Sequence, residues 1–281
     1  MPTMAMTGGA VRGAAAVSVI VALAAVLVIP AAPASRAQEN TSELYQAVPI
    51  VTGTDMRSRP AGFAQALREV LVKLSGEPRL NKDPRVAELM AHADTLVLSF
   101  DYVDQLSGQP RHDEQGTYDR PQNLTVRFDP ARIDQALAEL GERPWRGTRP
   151  VIVPVLAVRG FTGNYLLSAE IPAGAGQRAA FANVANEYGM NFRIPTEAEL
   201  ALWDVAPGRF PAPRVSPSPD QALVVGTLEF DENLPGWVGS WRMHWRDIDY
   251  AWQISGVNFD EAFRDIVRGV ARVASGHGSP D

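Results

Sequence analysis

The chain has no cysteine. Disulfides, thiolate nucleophiles and thiolate metal sites are therefore excluded, as is acylation of a lipoprotein cysteine, and stability must come from packing. Lysine is nearly as scarce: Lys73 and Lys82 are the only two, and every other basic residue is arginine. Histidine occurs four times, at His92, His112, His244 and His277, with no His-x-His or His-x-x-x-His pair. A histidine metal site would need ligands from separate elements, so no metal and no cofactor is expected. Gly-x-Gly-x-x-Gly, Walker and EF-hand patterns are absent, which removes the usual backbone signatures for nucleotides and calcium. No acidic residue precedes Glu39, although the chain as a whole carries 32 acidic against 26 basic residues. A formal charge of −6 argues against nucleic-acid binding.

Residues 1–37 read as a targeting segment. Arg12 supplies the positive start, Ala14–Ile29 is almost wholly apolar, and Pro30 precedes the small residues Ala31–Ala37, with Ser35 and Ala37 placed for cleavage before Gln38. The expectation is export to the periplasm with no stable membrane span after cleavage. The alternative is an uncleaved N-terminal membrane anchor, since such a run nearly reaches the length of about 20 residues that a span requires.

The richest stretch is Gly236–Ile254, which holds four of the six tryptophans. Trp237, Trp241, Met243 and Trp245 alternate with Val238, Ser240, Arg242, His244 and Arg246, a period of two that predicts a half-buried strand. Tyr250, Trp252 and Ile254 resume the pattern. A four-residue turn over Arg246–Asp249 would set Trp245 opposite Tyr250, Met243 opposite Trp252 and Trp241 opposite Ile254. Each buried aromatic contributes about 1.5–3 kcal/mol, so this hairpin locates a core.

In chain order, Leu44–Val51 predicts a strand, and Phe63, Leu67, Val70, Leu71 and Leu74 recur at helical spacing between Ser58 and Gly76. Asp83-Pro84 starts a short helix, and Leu96–Leu106 and Asn123–Phe128 read as strands. Asp129-Pro130 opens a helix ending at Gly141. Glu142–Pro150 is rigid and polar. Beyond it Val151–Val158 predicts a strand whose Pro154 calls for an edge, a bulge or a shorter element. Gln177–Tyr188, Glu197–Trp203 and a terminal segment opened by Asn258 predict helices, and Leu223–Phe230 a strand. Five prolines make 204–220 an extended connection. The fold class is α+β, in two units with largely antiparallel sheets covered by helices on one face. The expected divisions are a signal peptide at 1–37, an N-terminal domain at 38–142, a hinge at 143–150, a C-terminal domain at 151–274 and a tail at 275–281.

No catalytic set stands out. Ser75 lies in Leu-Ser-Gly-Glu, outside any nucleophile elbow, and His92, Asp94 and Ser75 are explained by helix ends. The acidic pairs Asp101/Asp104, Asp231/Glu232 and Asp247/Asp249 fall at strand ends and turns, where aspartate is favoured locally. Two basic clusters are the candidate binding surfaces. One is the outer hairpin face of Arg242, His244 and Arg246; the other is the Arg/Trp cluster of Arg143, Trp145, Arg146 and Arg149 at the hinge. The expected function is a non-catalytic binding or scaffolding module of the cell envelope, with another envelope protein as partner. The alternative is a periplasmic hydrolase with a carboxylate/His site between the halves. A carrier of small apolar ligands would need an empty cavity beneath Trp241 and Trp245.

Ala66–Gly76 with Asn81–Pro84, Val126–Gly141, Pro144–Pro150, Gly189–Pro195 and Gly236-Trp237 through Trp241 resemble, in order and spacing, the exported proteobacterial envelope proteins of the domain of unknown function (DUF) 2066 family. The resemblance covers about residues 43–272. It implies export and an intact fold and assigns no catalytic residue.

Overall fold

The computed structural model describes residues 42–108, 120–161, 163–206, 215, 217–233 and 236–280. The targeting segment, the tip of the 107–122 loop with His112, and most of the proline-rich connection lie outside them.

The N-terminal half is an antiparallel sheet under one long helix. β1 (Gln46–Ala47) and β2 (Ile50–Thr52) both pair with one edge of β4 (Pro121–Phe128), and β3 (Val97–Asp104) takes the other edge. Partner numbers keep a constant sum from Gln46↔Arg127 to Ile50↔Asn123, so β1 and β2 form one continuous strand that Pro49 interrupts. α1 (Arg59–Ser75) buries Phe63, Leu67, Val70, Leu71 and Leu74 against that sheet and ends at Gly76 with φ 74°, the left-handed stop that glycine provides. α2 (Pro84–Met90) and α3 (Pro130–Glu139) start as the sequence predicts. Asp83 accepts from the Arg85 amide, and Asp129 accepts from those of Ala131 and Arg132.

The C-terminal half holds a six-stranded mixed sheet in the order β10-β9-β8-β5-β6, with β7 also on β5. β5 (Val151–Gly160) runs parallel to β8 (Gln221–Asp231) and to β7 (Asn191–Phe192). The pairs with β6 (Gly163–Leu166), β9 (Gly236–Trp245) and β10 (Ile248–Val257) are antiparallel. Pro154 thus sits inside the sheet. The Val151 amide donates to Asp220 O, so odd residues of β5 face β8, while Ile152 O and Leu156 O serve the other side. Pro154 shares that other side, in the gap between the end of β7 and the start of β6, where no ladder donor is required.

α4 (Ala175–Glu187) and α6 (Phe259–Ser275) cover one face of this sheet. The short α5 (Glu197–Leu202) packs Leu200 on Val155 of the other face, held at its start by the Thr196/Glu199 capping box. At α6 only half of a capping box forms. Asn258 caps the Glu261 amide, while the Glu261 carboxylate turns instead to Arg264 and Arg268. The class is α+β. A single contiguous set of buried side chains includes Leu67 and Leu124 of one half and Phe181, Trp241 and Val270 of the other.

The hairpin register differs from the expectation by two residues. Ile248 faces Trp245, Tyr250 faces Met243 and Trp252 faces Trp241. The loop is Arg246-Asp247 alone, with φ of 49° and 65°. Positive φ at both positions is the turn whose twist matches that of the paired strands, so the two-residue loop prevails without the usual Asn-Gly. A shift of two preserves the faces: Trp241, Met243 and Trp252 are buried and Arg242 and His244 exposed. The Trp241 ring crosses Gly226 and Gly239, where a built Cβ would come within 2.4 and 2.1 Å of it, and its Nε1 donates to Asp265 at 3.0 Å. The ring is thus closely packed against the backbone of β8 and β9. Burial pushes the Asp265 carboxyl up to about 6, against the lowering effect of the Trp241 donor.

Candidate functional site

A groove of about 1140 Å³ runs between the halves. One wall is segment 43–50 and the adjacent turns of α1, with Gln65, Glu69 and Lys73. The other is α4 and its exit, with Asn183, Asn186, Glu187 and Gly189–Asn191. Segment 144–149 and Arg264 also line it. A smaller depression of about 300 Å³ shares Gln65, Glu69, Glu187 and Arg264 with it.

Lys73 is the buried cation of this groove. It lies in the last turn of α1, and its Nζ donates to Gln46 O of β1 at 2.7 Å. Desolvation holds its pKa below the usual lysine range; Glu69 opposes the shift and Arg149 adds to it. Arg149 donates to Lys73 O at 2.7 Å and to Tyr188 O at 3.3 Å, and its guanidinium lies 4.2 Å from the Trp145 ring centroid. Burial brings Arg149 down to about 10. Glu187 pairs with Arg264 at 3.2 Å, yet desolvation keeps its carboxyl above the ordinary range, helped by nearby Glu69. Glu69 itself accepts from Gln65 at 2.9 Å.

The hinge cluster separates on inspection. Trp145 and Arg146 line the groove. The Trp145 amide donates to Leu74 O at 2.7 Å, and Arg146 pairs with Asp134 at 2.9 Å. Asp134 also accepts from Tyr45 at 2.7 Å, and the Tyr45 hydroxyl is pushed up to about 12, chiefly by burial. Arg143 is exposed and is not part of the groove wall. The hairpin cluster lies elsewhere. Arg242 is exposed on the outer face of β9, His244 Nδ1 lies 2.8 Å from Asp249 Oδ1, and Arg246 folds back to 5.7 Å from the Trp245 ring. The structure brings neither Arg242, His244 nor Arg246 to the groove.

Two features were missed by sequence reasoning. The buried pair Glu77–Arg272 joins the ends of α1 and α6. Beside it, Ser275 Oγ lies 2.7 Å from His277 Nδ1, and His277 Nε2 lies 2.8 Å from Glu142 Oε2. Hydroxyl, imidazole and carboxylate in a chain are the parts of a nucleophile relay. The setting is wrong for one. The amides of Gly276 and His277, the two that follow the hydroxyl, already donate to the Val273 and Arg272 carbonyls. The hydroxyl also sits at the negative end of α6, which opposes developing negative charge. The relay instead fastens the start of the tail to the segment after α3. No sequence signal links residues so far apart. Ser75, the other serine considered, spends its hydroxyl on Leu71 O at 2.8 Å. Among the described residues no group of three or more His, Asp or Glu side chains is placed to hold a metal ion, and no helix is long and apolar enough to cross a membrane.

The fold and groove define an α+β protein with an open polar cleft between two sheets. Residues 38–146 match a family model described as Domain of unknown function (DUF8605), which covers the N-terminal sheet, α1 to α3 and the groove segment as far as Arg146. No curated protein and no solved structure matches the chain. The family match corrects the resemblance drawn above: the N-terminal part is similar to DUF8605 and not to DUF2066. The motifs behind that resemblance, a capped helix after Asp-Pro and a helix stopped by Ser-Gly, are solutions to local chain geometry that unrelated α+β proteins share.

Proposed function

We propose that the protein is an exported, non-catalytic binding module of the cell envelope, working in the periplasm, which holds an extended segment of a partner protein in the groove between its halves. The observation that carries this reading is the engagement of the groove's charged groups. Lys73, Arg146, Arg149, Glu69 and Glu187 are each held by a neighbour in the chain. Besides Glu43, the walls offer a strand edge and the side-chain amides of Asn183, Asn186 and Asn191, which are hydrogen-bonding surfaces for a polymer. The volume exceeds the roughly 300–1,000 Å³ of small-ligand sites. Export rests on the apolar run Ala14–Ile29 and the small residues that follow it.

A photoreactive amino acid placed at Asn186 tests this in living cells, with the same residue at Arg242 as comparison. Crosslinking of a discrete envelope protein from Asn186 and not from Arg242 is the expected result; crosslinking confined to Arg242 would move the binding surface to the hairpin. A second reading, a hydrolase using groove carboxylates, draws on Glu187, whose carboxyl burial holds above its ordinary range. Hydrolytic turnover in a substrate screen that disappears in Glu187→Gln would favour it.

A further inference from the structure

We infer that the outer edge of the continuous strand formed by β1 and β2, residues 46–52, accepts the partner segment as an added β-strand, paired through the backbone of Val48 and Ile50. This rests on the reading of the groove as a polypeptide site and specifies how the polypeptide is held. The amides of Phe128 and Leu124 donate to Tyr45 O and Pro49 O, so odd-numbered residues turn their backbone groups to β4. Even-numbered residues therefore turn theirs outward. Gln46 O is taken by Lys73 Nζ, which marks one end of the free edge. Among the described residues no strand pairs with the outward groups of Val48 and Ile50. Consecutive residues 46–50 all line the groove, as they do when a strand is presented edge-on and not by one face.

Of the guards that strand edges normally carry, this edge has short strands and a proline but no charge of its own. Gln46–Thr52 contains no charged residue, and its one proline, Pro49, directs its ring nitrogen inward to β4 and leaves the outer row of donors intact. Val48 and Ile50 are 48% and 62% exposed on the open face of the sheet, where aliphatic side chains of an added strand would be their cross-strand neighbours. The free edge from Val48 to Thr52 spans about 17 Å at 3.3 Å per residue, matching a short extended segment. A second copy of this chain would have to bring its own β4 and α1 against α4 to reach the same edge, so the walled groove selects a lone extended peptide.

The probe is the synthetic peptide acetyl-Lys-Thr-Val-Thr-Val-Thr-Lys-amide with a fluorescent label, titrated into the full chain by anisotropy. Saturable binding is expected, weakened at least tenfold by Ile50→Pro, which removes an outward donor, and by the surface change Val48→Lys, and unchanged by Arg242→Ala. Val48→Lys alone decides the matter if Ile50→Pro fails to fold. Binding unaffected by Val48→Lys, or no binding at all, would overturn strand addition. Self-association abolished by Val48→Lys in light scattering would also overturn it, in favour of a second copy. Crosslinks from Asn186 that persist alongside either result would leave the groove reading standing; their absence would remove that as well.

Discussion

Replacing Asp265 by asparagine stabilises the protein near neutral pH. Asp265 lies under the tryptophan hairpin with its Oδ2 accepting from Trp241 Nε1 at 3.0 Å, and its pKa stands at about 6 against an ordinary 3.8, with burial as the main cause. The native state therefore holds this proton more tightly than the unfolded chain. Stability from the protonated form is complete below pH 3.8 and is lost as pH rises through about 6. A shift of that size corresponds to about 3 kcal/mol at roughly 1.4 kcal/mol per unit. Asp265 is only partly buried, and solvent screening reduces this to about 1–2 kcal/mol. Asparagine keeps the acceptor for Trp241 without acquiring the charge. Urea unfolding at pH 7.5 should show Asp265→Asn to be more stable by about 1–2 kcal/mol, with the difference shrinking as pH falls through about 6 and vanishing only below pH 3.8. A variant less stable than the parent at pH 7.5 would refute the reasoning and show that attraction to Arg268 outweighs desolvation.

Gly239→Ala forces a Cβ to within 2.1 Å of the Trp241 ring and should cost about 1–3 kcal/mol as an overpacked site. Gly176→Ala, in an open position of α4, should gain about 0.5–1 kcal/mol; thermal melts compare the two. Replacing Arg246-Asp247 by Asn-Gly, which accepts positive φ at both positions more readily, should raise the urea midpoint by an amount equivalent to about 0.5–1 kcal/mol, with NMR contacts between Trp245 and Ile248 retained. Arg272→Met strands a buried carboxylate and should cost about 3–5 kcal/mol, whereas the double change with Glu77→Leu should cost much less. Equal losses in the single and double variants would show that the pair is not acting as a unit.

The sequence told most where local rules act alone. Asp129-Pro130 and Gly76 announce helix ends because the capping side chain or the missing Cβ solves a problem within four residues. The alternation around Trp241 identified the buried face of the hairpin correctly and its register wrongly. A shift of two conserves faces, so periodicity carries no information about loop length. Pro154 misled in the opposite way, since its tolerance depends on β7 stopping and β6 starting on either side of it, a fact of tertiary pairing. The groove was out of reach for the same reason. Its walls come from β1 and β2, α1, segment 144–149 and α4, and the hinge residues Trp145, Arg146 and Arg149 were singled out as a cluster without their partners across the groove. A signal for Lys73 did exist, one of two lysines in a chain otherwise committed to arginine, but it pointed to no partner. The relay of Ser275, His277 and Glu142 left no trace in the sequence beyond a histidine in a glycine-rich tail.

The most direct test of the account is hydrogen–deuterium exchange of the full chain with and without the Thr-Val peptide. Slowed exchange confined to the amides of Val48 and Ile50, together with the groove-facing turn of α4, is the predicted result. Protection appearing instead across Arg242–Arg246, or no change at Val48 and Ile50 under saturating peptide, would contradict the claim that the edge in the groove is the binding surface.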